Sequence, residues 1–216
     1  IGISGGIDSS VSSTLSAMTG IKTIVLTMPI RQNDDQHNLS LKHQEWLKKK
    51  FKNVEAHTIN LDKLFDSFSS SLKGFDNEHG FANSRARLRM TTLYQVAAAN
   101  KGIVVGTGNK VEDFGVGFYT KYGDGGVDIS PIADCNKTDV WELGKELGIL
   151  KEIIDAPPTD GLWDDGRTDE GQLGFKYEDL EDAMKNPNSP HRQEYEKIRK
   201  ENLHKMEPIP VCKIPS

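Results

Sequence analysis

The stretch that most limits what this chain can become is Ile1 to Ser10, IGISGGIDSS. Apolar residues alternate with a glycine, a glycine pair follows, and then Ile7, Val11, Leu15 and Met18 recur at helical spacing. The pattern is a strand end, a tight turn and the start of an amphipathic helix. Such a turn leaves backbone N–H groups unpaired beside the positive end of the helix dipole, which makes an anion site, most often for phosphate. Gly5 and Gly6 let the backbone approach the anion, and Ser4 and Ser9 offer hydroxyl donors. Asp8 is the odd residue. Its carboxylate repels a phosphate unless a cation stands between them, and Mg²⁺ fills that role. No lysine follows the glycines, so the loop is not of the GxxxxGK[ST] type.

The rest of the chain alternates helix and strand signals. Lys22 to Met28 is a β-branched apolar run ended by Pro29, and a second strand is expected over 54–59 and a third over 103–105. Helical spacing predicts helices over about 38–51, 61–72, 84–100, 137–148, 177–185 and 190–203. Asn53 and Gly102 suit left-handed residues after the helices that precede them. Alternation of this kind gives an α/β fold, an open parallel sheet flanked by helices with right-handed crossovers. Ligands of such sheets bind beyond the carboxyl ends of the strands. Polar residues gather there: the SGGIDS loop, Pro29-Ile30-Arg31, and Gly106 to Asp113.

With 216 residues, 36% hydrophobic and 27% charged, one α/β domain over 1–216 is expected, and its opening on the end of a core strand implies missing residues before Ile1. A net charge of −5 argues against general nucleic-acid binding, and no apolar run approaches the roughly 18 residues of a membrane span. Cys135 and Cys212 form no CxxC pair, which points to a reducing compartment such as the cytoplasm and away from zinc.

Two long stretches lack periodicity. FYTKYGDGGVDISP, from Phe118 to Pro131, mixes Lys121, Asp124 and Asp128 with aromatics and glycines. The stretch over 154–174 is rich in proline, glycine and acid, and Leu162 and Trp163 give it something to bury on closing, so a lid is expected over a plain solvated loop. Asp8 and Glu112 are candidate metal ligands at one sheet edge. From spacing alone Glu112 reads more readily as a solvated first-turn acid. Arg85, Arg87 and Arg89 alternate, and Lys121, Lys137 and His204 stand alone, patterns that usually mean surface side chains.

SGGIDS resembles the pyrophosphate loop of the PP-loop ATP pyrophosphatases. Taken with RARLRM, GTGNKVE, KYGDGGVDISP and its following NKTD, PPTD, DEGQLG and His204-Lys205, the chain resembles the ammonia-dependent NAD⁺ synthetases over most of its length. The resemblance implies a Rossmann-like adenine nucleotide α-hydrolase fold and ATP-dependent amidation of deamido-NAD⁺ through an acyl-adenylate. ATP would lie against Gly2, Ile3, Ser4, Gly5, Gly6, Ile7, Asp8 and Ser9, with Thr107, Lys137 and Thr159, and Mg²⁺ on Asp8 and Glu112. Arg87, Lys121, Asp128, His204 and Lys205 would contact deamido-NAD⁺, and Asp124 would sit where ammonia attacks, with Lys137 beside the reacting phosphate. The family is homodimeric with the acceptor bound across the interface, so Arg87 would serve the neighbouring subunit. Two departures stand out. The family's GTDHAAE is GTGNKVE here, and the arginine many members carry before the proline that ends the second strand is absent, with Arg31 after it. The rival expectations are another PP-loop enzyme, GMP synthetase-like or tRNA-modifying, and a non-catalytic binder of adenine nucleotides.

Overall fold

The structure, a computed structural model, describes residues 1–32, 34–159 and 168–214. Its centre is the expected parallel sheet. Strand β1 (Thr23–Thr27) pairs with β2 (Val54–Thr58), with Thr23 opposite Val54 and Thr27 opposite Thr58. On its other edge β1 takes the first residues of the chain. Leu26 donates to the Ile1 carbonyl at 2.9 Å, and Ile3 donates to the Leu26 carbonyl at 2.8 Å. The expected third strand over 103–105 is reduced to a bridge, Val105 opposite Ile129, with Gly106 donating to Ile129 at 2.7 Å. The run between Gly102 and Gly106 is too short for a ladder.

Neighbouring residues of β1 point to opposite faces, and both faces are buried. Val25 packs with Ile1, Ile3, Ala17 and Leu47, whereas Leu26 packs with Met28, Ile30, Leu61 and Phe65. Helices must therefore cover both sides. Helices α1 (Ile7–Met18) and α2 (Asp34–Lys50) cover the first, and α3 (Asp62–Ser70) and α4 (Glu78–Ala99) the second. Helices α5 (Lys137–Glu146) and α6 (Lys151–Ile154) and the link between them pack on α1 through Val140, Ile153 and Ile149 against Ile7 and Val11. Gly144 makes that approach possible, since a Cβ there would lie 2.6 Å from Ile7 Cδ1. A further core joins a π-helical turn over Lys110–Val116 to the C-terminal helices α7 (Asp169–Leu173), α8 (Tyr177–Lys185) and α9 (Arg192–Met206).

Several helix ends differ from the sequence reading. Helix α4 begins before residue 84 because Asn77 caps it, its Oδ1 accepting from Gly80 N–H at 2.7 Å. The left-handed residue after α4 is Lys101, φ 53°, and not Gly102. Asn53 is not left-handed; its side-chain amide donates to the carbonyls of Ala17 and Ile21 at 2.9 and 2.7 Å. No helix among the described residues is long and apolar enough to cross a membrane.

Where α2 meets α1, His43 is fully buried, its Nε2 3.0 Å from Ser13 Oγ and its ring stacked on Trp46. Burial lowers its pKa from 6.5 to about 4, the backbone of Ser10 opposing only in part. The unfolded chain thus binds a proton in this window that the native chain refuses. The resulting stability is fully present above pH 6.5 and is lost as pH falls toward 4, by about 3 kcal/mol in all. Urea unfolding of the wild type and His43→Gln at pH 7 and pH 4.5 checks this. The wild type should lose more stability between the two pH values than the variant does.

Candidate active site

The SGGIDS turn is held open by its own serines. Ser4 N–H donates to Ser9 Oγ at 3.2 Å, Gly6 N–H donates to Ser4 Oγ at 3.2 Å, and Ser9 and Ser10 hydroxyls donate to the Gly6 carbonyl at 3.1 and 2.9 Å. The hydroxyls of Ser4 and Ser9 therefore knit the loop before they serve any ligand. Gly5, at φ 93°, is required where it stands, because a Cβ would lie 2.5 Å from the Gln36 carbonyl of α2. No side chain caps the α1 N-terminus, so its first-turn N–H groups keep their capacity for an anion.

Asp8 leaves this first turn and meets two residues from distant parts of the chain. Lys137 Nζ lies 2.6 Å from Asp8 Oδ2 and 2.8 Å from Glu112 Oε1. Asn109 bridges the same groups: its amide donates to Asp8 at 3.0 Å, and its Oδ1 caps the π-helical turn by accepting from Val111 and Glu112 N–H at 3.0 Å each. Tyr177, from the start of α8, donates its hydroxyl to Glu112 Oε1 at 2.5 Å. Lys137 is the first residue of α5. Glu181 on α8 holds that helix end by accepting from Thr138 N–H and Oγ1 at 3.0 and 2.8 Å.

Burial dominates the electrostatics. It pushes the Asp8 carboxyl up, against the pull of Lys137. Burial acts the same way on Glu112, yet Lys137, Tyr177 and Asn109 together bring its pKa down. Burial also works against the Lys137 ammonium, but the two carboxylates outweigh it and keep the group charged. Asp113 is pushed well up by burial and by Asp124, Glu112 and Asp8. Its carboxyl folds onto Gly108, where a Cβ would stand 1.9 Å from Asp113 Oδ2.

Above this cluster lies a cavity of about 230 Å³ that joins the SGGIDS loop to the KYGDGG loop. Of the residues expected at the site, Gly2, Ile3, Ser4, Asp8, Ser9, Thr107, Glu112, Asp124 and Thr159 line it. Lys137 lies beneath it. Gly5 and Gly6 shape its turn, whereas the Ile7 side chain belongs to the core under α5. Asp124 faces the cavity with Oδ1 accepting from Thr120 N–H at 2.9 Å. Thr159 and Asp169 flank the part of the expected lid that contains Leu162 and Trp163, and residues 160–167 lie outside the described residues.

Arg87, Lys121, Asp128, His204 and Lys205 do not line the cavity. Arg87 Nε donates to the Lys121 carbonyl, Lys121 Nζ to the His204 carbonyl, and Lys205 Nζ to the carbonyls of Gly117 and Tyr119. Asp128 accepts from Tyr94 OH and Val104 N–H. These side chains fasten the KYGDGG loop to α4, the sheet and α9. Arg31, φ 47°, is bound to α3: its N–H donates to Asp62 and its guanidinium pairs with Asp66, both at 2.6 Å. Asn109, Tyr177, Asp113 and Asp169 carry no individual signal as site residues in the sequence, where Arg89 reads as a surface side chain. Arg89 instead lines the cavity, with Nε donating to the Met28 carbonyl at 3.0 Å.

The donor set suits a hard cation. Two carboxylates converge on one point, and that point is held by positive charge. Among the described residues no group of three His, Cys, Asp or Glu forms a protein-only cage. A hard cation that takes most of its ligands from water and phosphate needs only one or two such carboxylates.

A family model described as NAD synthase matches residues 1–214. The chain belongs to the NAD synthase family. Its sequence is 39% identical over 186 residues to an NH(3)-dependent NAD(+) synthetase of Carboxydothermus hydrogenoformans, covering 84% of this chain and 74% of the relative. An enzyme of the same name from Finegoldia magna is 36% identical over 94% of this chain and 83% of its own. Among solved structures, an NMN synthetase from Francisella tularensis superposes with a TM-score of 0.90 at 33% identity, covering 99% of this chain and 88% of that one. An NH3-dependent NAD synthetase from Campylobacter jejuni superposes with a TM-score of 0.77 at 24% identity, covering 98% and 88%, which supports the fold. The two solved structures share the architecture described above.

Tyr177 is the residue of this site whose contribution separates most cleanly. Tyr177→Phe keeps the ring packed in the core and removes only the hydroxyl, which donates to Glu112 Oε1 at 2.5 Å and lies 3.4 Å from Asp169 Oδ2. Urea unfolding at pH 7 should show a loss of roughly 1.5–3 kcal/mol, the range for a buried hydrogen bond to a charged group.

Proposed function

We propose that this chain is a ligase that amidates the nicotinate carboxylate of deamido-NAD⁺ with ammonia at the expense of ATP, giving NAD⁺, AMP and pyrophosphate. The observation that carries the reading is the joining of the SGGIDS turn and the Asp8–Glu112–Lys137 cluster to Asp124 in one cavity. A carboxylate is a poor acylating agent because its leaving group would be oxide. Attack of the nicotinate carboxylate on the α-phosphorus of ATP forms a new P–O bond and expels pyrophosphate toward the N–H groups of the SGGIDS turn. Asp8 and Glu112 would hold Mg²⁺, which would supply neutralisation of the phosphate charge. The Lys137 ammonium stabilises negative charge developing on the transferred phosphoryl group. Thr107 and Thr159 stand on the cavity wall where the nucleotide lies. Ammonia then attacks the acyl carbon and AMP leaves. At neutral pH the nitrogen source is mostly ammonium, and Asp124 binds it and takes its proton.

The same resemblance implies a homodimer in the cytoplasm, with Arg87, Lys121, Asp128, His204 and Lys205 meeting the acceptor at the interface. The exposed apolar side chains of Tyr122 and Ile129, on the loop that carries Lys121 and Asp128, and of Ile103 two residues before the Val105–Ile129 bridge, support that assembly.

A second reading changes only the acceptor. The high likeness to the Francisella tularensis NMN synthetase favours nicotinate mononucleotide, the acid whose amidation gives NMN. The carboxylate chemistry is unchanged, because the second nucleotide takes no part in it.

Pyrophosphate release, with the two acids offered separately at fixed ATP, Mg²⁺ and ammonium, tests both readings. Release should require an acid acceptor, and amide should appear only with ammonium. A higher kcat/KM for deamido-NAD⁺ supports NAD⁺ synthesis, and a higher value for the mononucleotide supports the second reading. No release with either acid sinks both. For Asp124→Asn, adenylate formation should persist while amide formation slows by about 10²- to 10⁴-fold, the usual worth of a general base. Equal slowing of both half-reactions would remove Asp124 from that role.

A further inference from the structure

The Lys137 ammonium occupies the point on which Asp8 and Glu112 converge, at 2.6 and 2.8 Å. A divalent cation bound by the same carboxylates would stand within a few ångströms of that ammonium. Like charges so close repel strongly in a buried site, so cation and lysine exclude one another there. The lysine is well placed to keep the position. Its side chain is 2% exposed, and the rings of Tyr177 and Trp141 lie 4.9 and 6.0 Å from Nζ. Thr138 and Glu181 fix the helix end from which it extends. Rings close the site on one side, while Asp8 and Glu112 line the cavity on the other. The polar route for a displaced ammonium therefore leads toward the uncapped first turn of α1, where a polyphosphate is expected.

We propose that Lys137 is the resident counter-cation of the metal site: without nucleotide it closes Asp8 and Glu112 to divalent ions, and it yields them only when a polyphosphate accepts its ammonium. The proposal rests on the reading of Asp8 and Glu112 as the metal pair. It makes the metal a passenger of the nucleotide, so that free divalent ion does not load the empty site. Lys137 then changes partners once per turnover, from the two carboxylates to the phosphates and back.

The test is Mn²⁺ binding to nucleotide-free protein, followed by the electron paramagnetic resonance signal of free Mn²⁺. Nucleotide is left out because it chelates the ion itself. The wild type should show no saturable site. Lys137→Met should gain one site per chain, and the double variant Lys137→Met/Glu112→Gln should lose it again. The expected gain in affinity is at least the 5- to 150-fold typical of coupled sites. If Lys137→Met does not fold alone, Mn²⁺ should restore its circular dichroism, and failure to do so overturns the proposal. A saturable wild-type site that Glu112→Gln abolishes overturns it as well, and so does a folded Lys137→Met that binds no ion. The last result, joined to wild-type pyrophosphate release that persists in EDTA, would also remove Asp8 and Glu112 as metal ligands. A wild-type site with metal-dependent release would remove only the gate. Neither depends on which acid is amidated.

Discussion

Three charges meet where α1, the π-helical turn and α5 converge, and the C-terminal half of the molecule is arranged to keep them there. Asp8, Glu112 and Lys137 lie far apart in the chain, and none of them is more than one-fifth exposed as a side chain. Breaking such a buried set by removing one partner costs about 3–5 kcal/mol, because the remaining charges are left without compensation. Burial alone opposes every one of these ionised groups. The surroundings therefore have to supply hydrogen bonds as well as charge. Asn109 and Tyr177 do so from two sides.

This arrangement gives the distant helices their purpose. Helix α8 contributes Tyr177 to Glu112 and Glu181 to the N-terminus of α5, so one helix orients both an acid and the lysine between the acids. Helix α9 fastens the loops instead. Lys205 donates to the carbonyls of Gly117 and Tyr119, and the carbonyl of His204 receives Lys121. The KYGDGG loop, which carries Asp124 into the cavity, is thus held from the tail of the chain. Its irregular backbone, with Tyr122 at φ 62°, is affordable because its carbonyls find these partners.

Local pattern made much of the fold legible. The strand end, turn and helix at Ile1 to Met18 are legible in local spacing, and the run from Lys22 to Met28 reads as a buried strand. Helix α8 follows from its own periodicity. The buried acid pair is half legible: Asp8 stands out beside a glycine turn, but Glu112 reads as an ordinary first-turn acid. Its partners explain why. Tyr177 stands 65 residues away from it and Lys137 stands 25 away. Neither distance leaves a trace in spacing or periodicity. Asn109 carried a faint signal, since an asparagine before a turn of acids is a good cap.

Charged side chains were the least legible, because a sequence shows a charge but not what satisfies it. Alternating arginines read as surface, yet Arg89 reaches the cavity wall and Arg85 stacks over Phe65 at 5.0 Å. Lone lysines read as surface, yet Lys137 is among the largest fully buried side chains of the described residues. The physical reason is common to both. A long cation is buried only when acceptors or aromatic faces come to it from other elements, so its fate is decided by topology. Arg31 shows the converse. It stands next to the strand end where a nucleotide contact is expected, but Asp62 and Asp66 lie one helix further on and claim it. Position along the chain brought Arg31 to the right edge of the sheet, and the acids of α3 turned it away from the cavity.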